Sequence, residues 1–318
     1  MKTTRLQPAV IKKALCPKRI IKASKLFVIF PLLSLLPMGM AYRLCTLFQP
    51  LSGEDLENYV TGAITGIKKV LTGGMLPQLD LEVCMRENLK MLSMEIMDNF
   101  IVPGMHPARF SNICTITGLE HIQEALMKGR GLIVVTGHFN RLLMTPYAIG
   151  ISGLGIRNLS QDISRKNPYL DWVDRIYLAK KVRRLYETSR AKGITLGENI
   201  KAIFNALGRN ETIFILLDAY PHNMRKFGIH PFLGGRIKLA TGIERISQRT
   251  RTPLVYSITK PDGAWQVRTE ISPLEGFGHE AFAQAVKRFE RDLANCPCQW
   301  WQWGFMNSMW EPGGVSRR

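Results

Sequence analysis

The chain has 318 residues, room for one large or two small domains, and no compositional break between residues 110 and 300 marks a linker, so one principal domain with an N-terminal extension is expected. With 43 Lys and Arg against 25 Asp and Glu, the formal net charge is +18, which calls for an anionic partner: nucleic acid, an anionic membrane surface or an acidic carrier protein. The six cysteines have no paired C-x-x-C spacing, so neither a zinc site nor a disulfide framework is indicated, and reduced thiols are the expectation.

The first 53 residues carry nine Lys or Arg and no acid before Glu54, with the apolar stretch "LFVIFPLLSLLPMGM" from Leu26 to Met40. Fifteen residues are short for a spanning helix, which needs about 20, and Pro31 and Pro37 interrupt the run. Three readings compete: a cleaved signal peptide, disfavoured by the 25 residues that precede the apolar run; a buried core helix; and an interfacial anchor. The anchor fits both length and charge, because anionic lipid attracts each nearby Lys or Arg by about 1 kcal/mol. Residues 1–52 are therefore read as a helical membrane-associating segment that holds the protein on the cytoplasmic leaflet, and 53–318 as the main domain.

Helical spacing is expected between Gly53 and Gly73 and again in "LDLEVCMRENLKMLSMEIMDNF", where Leu81, Met85, Leu89, Leu92 and Ile96 recur on one face. "GLEHIQEALMKGRG" reads as a helix ending at a glycine. It feeds "GLIVVTGHFNRLLM", in which Leu132 to Val135 form a short buried strand that stops at a tight turn, with a helix starting soon after Asn140. His138 is thereby left at the carboxyl end of a strand, where open α/β sheets place their ligands. Downstream, "NPYLDWVDRIYLAKKVRRLYE" and "LGENIKAIFNALGRN" have helical patterns, and "ETIFILLDAY" is an apolar strand ending in Asp218. "GRIKLATGIERISQRT" reads as helical, "TPLVYSITKPDGAWQVRTEISP" as strand with a Pro-Asp-Gly turn, and "HEAFAQAVKRFERDLANCP" as a closing helix. Strands alternating with helices imply an α/β fold with a mainly parallel central sheet flanked by helices.

"TGHFN", "RKNPYLDW", "LLDAY" followed by "HPFLGGRIKLATG", and "PCQWWQW", in that order from about residue 25 to 312, resemble the bacterial lipid A late acyltransferases of the lysophospholipid acyltransferase superfamily. The resemblance implies a monotopic inner-membrane enzyme that moves an acyl chain from acyl carrier protein or acyl-CoA to a hydroxyl of a glycolipid or lipid-linked saccharide. It implies no cofactor and no metal; nucleic acid is not expected, because only the charge points to it and no recognised binding motif is present. His138 matches the family histidine, the base that would take the proton of the attacking hydroxyl. The family places Glu or Asp five residues after it, where this chain has Leu143, and no acid lies between Gly137 and Gly150. Two compensations are open. Asp218 ends a second apolar strand and should reach the same sheet edge to orient His138. Arg141, beside Asn140 on the expected substrate side, is placed to bind an anionic acceptor or oxyanion, or is a solvated cation. Arg165 and Asn167 resemble a segment lining the acceptor side, or form a turn and cap; Gly234 and Gly235 bring backbone close to substrate, or make a plain turn. Trp300, Trp301 and Trp303 sit at the membrane interface or close the core. Leu143 also sustains an alternative function, a catalytically impaired relative that binds lipid or acyl carrier protein in a biosynthetic complex.

Overall fold

The computed structural model describes residues 17–51, 53–71, 79–164, 167–168, 170–195, 200–219 and 226–313. Helices α1 (Pro17–Ser24), α2 (Phe30–Leu33), α3 (Met38–Cys45), α4 (Glu54–Leu71), α5 (Leu81–Ile101) and α6 (Pro107–Phe110) come first. The layered part follows as β1 (Cys114–Thr117), α7 (Leu119–Met127), β2 (Leu132–Thr136), α8 (Met144–Ile151), β3 (Ile156–Ser160), α9 (Trp172–Thr188), β4 (Ile194–Thr195), α10 (Lys201–Gly208) and β5 (Thr212–Leu216). It ends with β6 (Phe227–Phe232), β7 (Gly235–Ala240), α11 (Gly242–Thr250), β8 (Leu254–Pro261), β9 (Val267–Pro273), α12 (His279–Asn295), α13 (Met306–Met309) and β10 (Trp310–Pro312).

Seven strands form one sheet in the order β1-β9-β8-β2-β5-β3-β4, and every pairing in it is parallel except that of β8 with β9. β2 lies at its centre with all five residues buried, which is why its sequence is continuously apolar rather than alternating. A smaller antiparallel sheet, β10-β7-β6, stands beside it. Local chemistry sets several boundaries. Asp80 caps α5 by accepting from the backbone N–H groups of Glu82 and Val83, and Asp171 with Asp174 forms a reciprocal capping box at the start of α9.

Residues 235–240, expected to be helical, instead form β7. Gly235, Ile237 and Leu239 are buried while Arg236 and Lys238 face out, a period of two that suits pairing with β6. Helix begins only at Gly242. Neither β1 nor β3 was legible as a strand, because each is short and only partly buried.

The N-terminal stretch has two faces. Leu26, Phe30, Ala41, Tyr42 and Cys45 are buried in a cluster with Met97 of α5, Tyr147 of α8 and Val173 of α9. Ile20, Ile21, Val28, Leu32, Leu35 and Met40 remain exposed. Among the described residues no helix is long and apolar enough to cross a membrane.

Candidate active site

Two neighbouring strands bring the central pair together. β2 and β5 run parallel with Thr136 opposite Leu216, and the ladder continues as the Leu217 N–H donates to the Thr136 carbonyl at 2.7 Å. Two residues past each strand, His138 and Asp218 therefore meet at the carboxyl edge of the sheet. Between strand and histidine lies Gly137, where a Cβ would sit 2.4 Å from the Phe289 ring of α12; only glycine fits this turn without displacing the ring.

His138 Nδ1 is 2.9 Å from Asp218 Oδ1. The carboxylate also accepts the His138 backbone N–H, at 3.0 and 2.8 Å to its two oxygens, and the indole N–H of Trp300 at 2.7 Å. Asp218 is fully buried, whereas the His138 side chain is 20 % exposed. An imidazole held at Nδ1 by a buried carboxylate presents Nε2 as a proton acceptor, with tautomer and ring orientation fixed from behind. Trp301 packs beside that imidazole, ring centroids 6.1 Å apart, and its backbone N–H donates to the His138 carbonyl.

Asn140 holds the next bend in the left-handed region, φ 48°, stabilised by its side-chain oxygen accepting the Arg141 N–H at 2.7 Å. Its Nδ2 is buried with no hydrogen-bond partner, a donor with capacity to spare at the margin of a cleft of about 320 Å³. Arg43, Lys90, Met91, Met94 and Gln299 also line that cleft.

Arg141 is neither a solvated cation nor a group open to a ligand. Its guanidinium is 1 % exposed and bidentate to Asp98 of α5, with Nε donating at 2.7 Å and Nη2 to the other oxygen, while Nη1 donates to the Trp265 carbonyl. Tyr42 completes the nest: its hydroxyl donates to Asp98 at 2.7 Å, its ring lies 4.6 Å from the guanidinium carbon, and it stacks on Trp265. Burial pushes the Asp98 carboxyl up to about 6, against the opposing pull of Arg141; burial also works against the charged guanidinium, but Asp98 and Tyr42 together outweigh it and hold Arg141 charged. The physical reason for the inward turn is the unmatched acid on α5. Sequence reasoning missed Asp98 and Tyr42 because their contacts span 43 and 56 residues; the only signal was acids, Glu95 and Asp98, within a helix that is otherwise largely apolar or neutral on its buried side.

Leu143 is half-buried against apolar neighbours just before α8. Arg165 lies outside the described residues. Asn167 sits in a turn, its side chain donating to the Asp162 carbonyl and its carbonyl accepting from Arg175 of α9. Gly234 has φ 70° and closes the β6–β7 hairpin; a Cβ on Gly235 would meet the Glu311 carbonyl at 2.3 Å and the Trp310 ring at 2.5 Å. Protein packing thus already requires a glycine at 235. Trp300 and Trp303 are buried core residues, 4.9 Å apart in an edge-on pair.

A histidine oriented by a buried carboxylate thus stands at the carboxyl edge of a mainly parallel α/β sheet, with a basic, apolar helical segment packed alongside. The chain belongs to the bacterial lipid A biosynthesis acyltransferases, whose family model matches residues 16–303. No curated protein matches it.

Proposed function

We propose that this protein transfers a fatty acyl chain from the thioester of acyl carrier protein to a hydroxyl of a lipid A-type glycolipid or lipid-linked saccharide at the cytoplasmic face of the inner membrane. The observation that carries this reading is the His138–Asp218 pair. An alcohol is too weakly acidic to attack a thioester unaided. His138 Nε2 accepts the hydroxyl proton as the oxygen bonds to the thioester carbonyl carbon, and Asp218 stabilises the imidazolium that forms. Collapse of the tetrahedral adduct breaks the C–S bond, and the imidazolium returns its proton to the departing thiolate. Arg43 and Lys90, the latter paired with Glu87 at 2.8 Å, suit an anionic headgroup in the cleft beside Asn140.

Asp218 fills the role that a family acid at position 143 would have had, so Leu143 does not by itself deprive the histidine of a carboxylate. The exposed apolar row of α1 to α3, with the basic N-terminal segment, holds the protein on an anionic surface. The net charge of +18 favours an acidic carrier protein over acyl-CoA as donor. Purified protein incubated with acyl carrier thioesters or acyl-CoA, together with extracted glycolipid acceptors, should yield acylated product by mass spectrometry with the carrier thioester preferred. Leu143 also keeps a second reading in play, a non-catalytic binder of lipid or carrier protein; binding of either without consumption of thioester would select it.

A further inference from the structure

Away from His138, three side chains from separate elements converge: His230 in β6, Glu244 in the first turn of α11, and His279, the first residue of α12. One possible ligand atom from each lies within 4.8 Å of the other two. His230 Nε2 is 3.0 Å from Glu244 Oε1, and His279 Nδ1 is 3.6 Å from Glu244 Oε2. The shorter contact is close enough for a hydrogen bond but is not directed as one, so both of its atoms are buried without a partner. Such an orphaned pair is costly unless a third group satisfies both atoms at once.

The surroundings fit a cation. Tetrahedral zinc, with bonds of about 2.0–2.1 Å, sets its donors about 3.3 Å apart; the contacts here are 3.0 and 3.6 Å to the two different oxygens of Glu244, and the three ligand atoms all lie within 4.8 Å, so modest side-chain adjustment closes the set around an ion. Two imidazoles and one carboxylate suit a borderline divalent ion, whereas calcium and magnesium prefer an all-oxygen shell. Gly228 keeps space on the far side, since a Cβ there would lie 2.9 Å from His230 Nε2. His230 is almost wholly buried, while the His279 side chain is 73 % exposed and gives access from solvent.

We infer that His230, Glu244 and His279 bind one Zn²⁺, with the fourth position left to water, and that the ion fastens β6 to the N-terminal ends of α11 and α12. The fastening matters to the scaffold because α12 also carries Phe289, which packs on Phe139, Phe232 and Trp300 behind the His138–Asp218 pair. The ion takes part in no step of acyl transfer.

Full-length protein in detergent, stripped with a chelator and then titrated with Zn²⁺ against a colorimetric competitor, should bind one equivalent and unfold at a higher temperature when loaded. His279→Ala, at an exposed position, leaves the metal-free unfolding temperature unchanged, weakens zinc binding by at least about tenfold and abolishes the zinc-dependent rise. Gly228→Ala, whose Cβ would fall 2.9 Å from His230 Nε2, also weakens zinc binding, with a lower metal-free unfolding temperature because the buried ring must shift. Absence of stoichiometric binding, or binding that His279→Ala leaves intact, overturns the site. Specific binding without any thermal shift overturns the fastening role.

Discussion

At the scale of single residues, the proposed chemistry depends on a carboxylate with no spare bonding capacity on its inner side. Asp218 is engaged by the His138 ring, the His138 backbone and Trp300, all at or below 3.0 Å. His138→Ala should lower turnover by about 10² to 10⁴, the usual contribution of a positioned base, and Asp218→Asn by up to about 10⁴ through loss of the correct tautomer. Leu143→Glu should give no gain, because Nδ1 of the histidine is already occupied and the new carboxylate would replace apolar packing; a clear rise in acyl transfer on that change would refute Asp218 as the partner. Arg141 supports a different prediction. Removing it as Arg141→Met leaves Asp98 buried without its cation, so that it must stay an unpaired charge or take up a proton, a loss of about 3–5 kcal/mol in unfolding free energy, whereas Arg141→Met with Asp98→Leu should lose much less. Denaturant melts of the single and double variants separate a structural ion pair from a ligand-binding arginine. Both residues of the dyad were legible because each directly follows an apolar run. Neither the bond from Trp300 to Asp218 nor the part of Asp98 was, since their partners are distant in sequence and no pattern encodes which acid a buried base will meet.

Elements explain how a turn can be as demanding as a catalytic group. The bend between β2 and His138 is fixed by the Phe289 ring, which leaves no room for a Cβ on Gly137. Gly137→Ala should therefore cost about 1–3 kcal/mol of stability by overpacking and should lower turnover through displacement of His138, while the far-ultraviolet dichroism stays native. Unchanged turnover would mean that the ring moves freely and the turn does not set the imidazole. Strand and helix assignments were legible where one period dominated over a long run, as in α5, α9 and α12. They failed at residues 235–240, where charged residues alternate with apolar ones and adjoin a true helix, so that strand and helix periods blend in one window. The pairing with β6, a tertiary contact, decided it. The glycines at 234 and 235 were visible as turn residues, but their reason, a hairpin closing against Trp310, depends on β10 some 75 residues later.

For the whole molecule, the question is how a chain with no described membrane-spanning helix would hold an insoluble acceptor in reach of His138. Reading the apolar N-terminal run as either core or anchor set up a choice that the structure does not require: one face of it joins the core and the other is exposed. Deleting everything before Glu54 would consequently remove Leu26, Phe30 and Tyr42 from the interior and confound membrane release with unfolding. A cleaner change is Leu32→Glu with Leu35→Glu, since these side chains are 59 % and 80 % exposed and contribute little to the folded core. If the row enters the bilayer interface, each leucine contributes about 1.5 kcal/mol or more on burial. The pair should then weaken binding to vesicles rich in anionic lipid by at least about a hundredfold, with the unfolding temperature unchanged. The basic residues add an attraction that salt screens, so wild-type binding should fall at high ionic strength yet keep a residual apolar component that the double variant lacks. Equal vesicle binding by the folded double variant and the wild type would place the membrane-facing surface elsewhere.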